Sequence, residues 1–239
     1  MVLEDLFFIL IALISSLVSA TFGFGSAFIL LGLGAYILPV KDAIALSSVL
    51  FFCATLFKSL LFRRHVDWGL AAKITIIALP FAGLGAFWLD RLETAWLTRG
   101  LGVMVLLYCL VAWTPWRLRL TIHNGTIAIA SALYGFLSGL LGSGGIMKVT
   151  LFQSLGLTKE AFVGAMAATA IVTNATKMAV YFEAGLLGQE QLGMALSLVV
   201  CAFVTAWAGR RFLTTISAET FRQLVLLLLA VAGMGLLLR

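Results

Sequence analysis

Residues 6–40 contain no Asp, Glu, Lys or Arg. As one continuous helix this run would be about 52 Å long at 1.5 Å per residue. That is too long for one crossing of a hydrocarbon core of about 30 Å, and short for two crossings of about twenty residues joined by a turn. In its middle, Thr21-Phe22-Gly23-Phe24-Gly25-Ser26 places two glycines where a helix break is favoured. The run therefore predicts two shorter helices meeting at a Gly turn. Beyond Pro39, Lys41 and Asp42, hydrophobic segments follow at 43–62, 70–89 and 100–116, each long enough to span.

The pattern then starts again. Residues 120–147 lack acidic and basic side chains other than His123, and Leu141-Gly142-Ser143-Gly144-Gly145 interrupts the run before it continues to Leu157. Hydrophobic segments at 161–182, 191–208 and 221–238 complete the second pass. At a spacing of 119, Ser19 falls on Ser138, Gly23 on Gly142, Gly25 on Gly144 and Lys58 on Lys177. A one-residue gap brings Lys41-Asp42-Ala43 onto Lys159-Glu160-Ala161, and at 123 to 124 Gly85 falls on Gly209 and Arg99 on Arg222. Coincident glycines are cheap, but Gly breaks, a Lys-acid-Ala turn and an intramembrane Lys in one register are not. They predict an internal duplication, residues 1–118 and 119–239, as many secondary transporters are built.

Charge orients the halves. The loop after the third segment reads Arg63-Arg64-His65 in the first half, whereas the matching stretch reads Phe182-Glu183-Ala184 and runs on to Glu190. Under the positive-inside rule a loop that is basic once and acidic once belongs on opposite sides, which predicts inverted repeats with an odd number of crossings each. Arg117, Arg119, Arg210 and Arg211 then fall inside, and Arg239 outside. A parallel four-plus-four arrangement, counting each Gly-broken segment as one crossing, is the alternative. The fold class expected is an all-α integral membrane protein of about eight to ten membrane helices, each repeat opening with a Gly-broken helical hairpin.

Composition narrows the function. Of the 239 residues 62% are hydrophobic and 11% charged, which excludes a soluble enzyme or nucleic-acid binder. The net charge of +6 comes from 16 basic residues scattered between apolar segments, so it speaks for topology in a lipid bilayer and not for nucleic acid. Cys53, Cys109 and Cys201 all lie in apolar segments without metal-ligand spacing and read as small core residues. Glu4 and Asp5 stand where a signal peptide carries positive charge, so the first segment is expected to be retained. The six tryptophans fall near segment ends, as interfacial anchors do. No HExxH, Cys/His cluster or mid-segment acid occurs, so neither catalysis nor a cofactor nor a carboxylate proton carrier is expected.

A Gly-broken segment, a Lys-acid turn and a Thr/Asn/Lys-bearing helix, all occurring twice, resemble the sulfite exporter TauE/SafE family of membrane permeases over nearly the whole chain. The most family-like stretch is Gly135-Phe136-Leu137-Ser138-Gly139-Leu140-Leu141-Gly142-Ser143-Gly144-Gly145, with Thr173-Asn174-Ala175-Thr176-Lys177 about thirty residues on. Phe22-Gly23-Phe24-Gly25-Ser26 is a poorer copy, with Ser26 and Ala27 where a fuller glycine run is usual. The resemblance implies transport, at a cell membrane, of small sulfur-containing anions such as sulfite, sulfonates or sulfoacetate.

The residues supply their own reasons for an anion. A helix that begins inside the membrane offers unpaired N–H groups and a positive dipole end, and both Gly25-Ser26 and Ser143-Gly144-Gly145 lead into such a start. Lys58 and Lys177 lie fifteen or more residues into uncharged segments, where a cation costs several kcal/mol unless it meets water or a partner. Lys148 opposes the dipole in the first turn of the second short helix. Asn174, three residues before Lys177, is placed to share its cavity, and Thr150, Gln153, Thr169 and Thr173 are neutral hydrogen-bonding candidates. Against these stand blander roles: glycines and polar residues as helix-packing contacts, and Lys58 snorkelling beside Arg63. An anion channel and a non-transporting scaffold subunit are the competing functions. Of assembly the sequence predicts nothing.

Overall fold

The computed structural model describes residues 2–22, 25–113, 121–208 and 218–239. The described residues form ten α-helices: α1 Val2–Phe22, α2 Ser26–Gly34, α3 Val40–Phe62, α4 Trp68–Arg91, α5 Thr94–Trp113, α6 Asn124–Leu141, α7 Gly145–Ser154, α8 Lys159–Glu183, α9 Leu192–Ala208 and α10 Ala218–Leu237. Expectations resting on Gly23, on Trp116, Arg117 and Arg119, and on Gly209, Arg210 and Arg211 lie outside the described residues, as do the side chains of Lys159, Trp207 and Arg222. Five helical segments are long and apolar enough to cross a membrane by length and composition: Val40–His65, Trp68–Arg91, Thr94–Trp113, Asn124–Leu141 and Glu160–Glu183. The tryptophans that can be assessed near helix ends, Trp68, Trp88, Trp96 and Trp113, are exposed.

The two short helices follow from glycine stereochemistry. Gly25, with φ of 99°, precedes α2, and Gly142, with φ of 75°, closes α6; L side chains avoid this left-handed region. Between α6 and α7 the chain thereby continues without a long loop. At nine and ten residues, α2 and α7 are each about 14 Å long, roughly half a hydrocarbon core. They pack against α1 and α6 respectively. Pro39 then opens α3, and Thr158 caps α8 by accepting from the Ala161 N–H.

Between membrane helices the apolar surface gains little by leaving lipid, so close packing of small residues sets the contacts. The most extensive pairing is α4 along α6, where Gly85, Gly135 and Gly139 put backbone against backbone: a Cβ at each would collide with Phe136 O, Ala78 O and Ala82 O. Helix α9 lies along α1, tied by Ser16 Oγ and Thr205 Oγ1 at 2.8 Å. Helices α3 and α8 pack on one another, and α5 packs on α10.

Candidate functional site

The sequence places glycine, serine, lysine and asparagine at separate points of the chain, and the fold gathers most of them around one cavity of about 110 Å³. Its wall comes from the end of α1, the start of α2, the middle of α3, the end of α6, the 142–145 turn, the start of α7 and α8. Of the expected site residues, Gly25, Ser26, Lys58, Ser143, Gly144, Gly145, Lys148 and Asn174 line it. Phe28, Phe51, Val163 and Met166 supply an apolar side, and none of the described lining residues is acidic.

Gly25 ahead of α2 and the 142–145 turn ahead of α7 therefore face one space. On the α2 side, Gly25 O accepts from the Phe28 and Ile29 N–H groups at 3.1 and 3.3 Å, and Ser26 and Ala27 stand at the wall. On the α7 side, Ser143 Oγ accepts from the Gly145 N–H at 3.4 Å. Gly144 has to be glycine for space as well, because a Cβ there would meet the Tyr134 carbonyl. Each helix start directs its dipole and its first N–H groups along its axis, the arrangement that favours an anion.

Lys148 is 3% exposed and lines the cavity. Its Nζ donates to Met166 O at 2.8 Å and to Thr169 Oγ1 at 3.1 Å, and lies 4.3 Å from the centre of the Tyr134 ring. All these partners are neutral. An ammonium held by two oxygens and an aromatic face, with no carboxylate on the cavity wall, is a buried charge short of a counterion. Asn174, 4% exposed, donates from Nδ2 to Thr55 Oγ1 at 3.3 Å, across the packing of α3 on α8.

The other two lysines differ from one another. Lys58 lines the cavity and donates to Ser19 Oγ at 2.6 Å and Ser19 O at 3.2 Å. Lys177, 1% exposed, lies behind the wall, where Nζ donates to Gly142 O at 2.9 Å and Ser138 Oγ at 3.4 Å. It holds the last turn of α6 at the carbonyl left over by the helix end. Thr173 is also behind the wall, 2.7 Å from the Tyr134 hydroxyl, while Thr169 supports Lys148. Thr150 bonds within α7 to Ile146 O, and Gln153 is exposed, away from the cavity.

Four polar residues of the site have no counterpart among the expected ones. Tyr134 carries no local motif, and only its phenol within an uncharged segment marks it. Ser19 and Ser138 stand in the duplication register already, and Thr55 falls on Asn174 at the same spacing of 119. Polar pairs in register were thus a usable signal.

Searches of the curated proteins and of the solved structures found no match to this chain. A family model described as Sulfite exporter TauE/SafE matches residues 8–236. With nearly the whole chain matched and several helices able to span a bilayer, this multi-pass membrane protein belongs to the sulfite exporter TauE/SafE family.

Proposed function

We propose that the protein is a secondary transporter that moves small sulfur-containing anions, such as sulfite, a sulfonate or sulfoacetate, across the cell membrane through the cavity between its two Gly turns. The observation that carries this reading is Lys148: a buried cation at a cavity wall with no acidic residue, flanked by two helix starts. A sulfur oxyanion supplies several acceptor oxygens at once, matching the ammonium, the Ser26 and Ser143 hydroxyls, the Asn174 amide and the positive dipole ends of α2 and α7. Lys58 is a second cation at the same wall.

The architecture proposed with it is a pair of inverted repeats, each opening with a Gly-broken hairpin. Recurring packing partners support a duplication, whichever way the halves are oriented: α4 lies along α6 as α9 lies along α1, and α4 packs on α8 as α9 packs on α3. Helices α3 and α8, and α5 and α10, meet their own counterparts. Rocking of one half against the other about a fixed central site is the usual motion of such a frame.

The test is flux in proteoliposomes with radiolabelled sulfite and sulfoacetate. A carrier gives saturable uptake and counterflow of at least one of the two. Large uncoupled anion currents would make the protein a channel, and absence of flux with both anions would leave a scaffold and overturn the proposal.

A further inference from the structure

Lys58 and Lys177 stand 119 residues apart, and so do the serines they reach, Ser19 and Ser138. The lysines belong to α3 and α8, the serines to the ends of α1 and α6. Each lysine thus ties the third helix of its half to the helix that precedes the Gly turn, and each also reaches a backbone carbonyl there, Ser19 O or Gly142 O. Between them, Thr55 and Asn174, again 119 apart, bond to one another where α3 packs on α8.

The two ties are not in the same condition. Lys177 is withdrawn behind the wall onto the carbonyl of Gly142, the left-handed residue that ends α6. Lys58, while bonded to Ser19, is half-buried and forms part of the cavity wall. Repeat-related groups in unequal environments are expected when one chain adopts one of two equivalent arrangements, with the halves exchanging roles between them.

We propose that Lys58 and Lys177 are a repeat-related pair of positioning residues, each latching the broken helix of its own half: in the form described both ties are made, that of Lys177 withdrawn behind the wall and that of Lys58 open to the cavity, and in the opposite-facing form the two exchange these environments. This rests on the transport reading above, and it assigns these lysines to the conformational step, leaving the anion's charge to Lys148. A latch that donates to carbonyl oxygens needs an N–H donor of long reach and positive charge, so Arg replaces Lys in it and Met does not.

The experiment uses full-length protein with Cys53, Cys109 and Cys201 replaced by Ala and a reporter, Ala54→Cys, on the cavity wall. Labelling by a membrane-impermeant thiol reagent is measured from each face of oriented proteoliposomes without anion, and sulfite binding is measured in detergent. Lys177→Met should shift the ratio of labelling between faces about tenfold one way and Lys58→Met about tenfold the other. The matching Arg variants should return the ratio toward that of the parent, which loss of folding alone cannot do. Sulfite affinity should stay within about threefold in the Lys177→Met protein. The latch is overturned if both Met variants move the ratio the same way, if neither moves it, or if Lys177→Met abolishes sulfite binding with the ratio unchanged. If the parent protein binds no sulfite, that result counts against the transport reading alone, and the labelling ratios still decide the latch.

Discussion

At the scale of the residue, three lysines embedded in apolar sequence, two buried and one half-buried, receive three different surroundings. Lys148 meets only neutral oxygens and a ring at the cavity, so replacing it with Met, of similar length, should remove a charge-assisted bond worth roughly 1.5–3 kcal/mol. Sulfite affinity should then weaken about ten- to a hundredfold, read by titration in detergent, while the thermal midpoint stays near that of the parent. Unchanged affinity would remove Lys148 from the site. Its place was legible in the sequence because it needs only local facts: a Gly turn, a short helix and a cation in the first turn. What Lys177 reaches was not, because spacing along α8 puts it near Asn174 but says nothing of where the end of α6 lies. A long stem turned to the Gly142 carbonyl is a tertiary outcome. Gln153 shows the same limit, since rotation of a ten-residue helix about its axis sends it out to the exposed side.

At the scale of the element, the short helices α2 and α7 were readable because an uncharged run of the wrong length had to break somewhere, and left-handed glycine allows it. The seam between α4 and α6 was less so. Gly85, Gly135 and Gly139 are three glycines among 23, and only the packing shows that a Cβ on any of them meets a facing carbonyl. Gly139→Leu should therefore force the two helices apart and destabilise the protein by about 1–3 kcal/mol or more, seen as a lower unfolding temperature in detergent. Gly193→Ala in α9, where a Cβ meets nothing within 4 Å, should leave that temperature unchanged or slightly raised. Equal behaviour of the two variants would show that the seam is not where the packing is tight.

At the scale of the whole molecule, the proposed inverted arrangement places Arg64 and Glu183 on opposite faces of the membrane. Cysteines introduced at these positions, at the short 3-10 turn Arg63–His65 and at the end of α8, should label from opposite sides with an impermeant reagent. Labelling from one side would favour parallel halves. The proposed duplication rests on residue register, whereas the packing of α4 against α6 and of α9 against α1 depends on long-range contacts that no local pattern encodes. One unequal pair within that register carries a consequence for ancestry. The fourth residue of α7 is Lys148, and the fourth residue of α2 is Ile29. Two identical unlinked copies of a half would bring every group near their common axis in duplicate, and a second copy of Lys148 would add a further ammonium beside a small void that Lys58 already lines. Joining the halves into a single polypeptide frees each to diverge, so a cation can be kept in one and a hydrocarbon side chain in the other. In the proposed repeats, covalent fusion would thus do more than guarantee stoichiometry: it would let a nearly symmetric frame enclose an unequal set of charges.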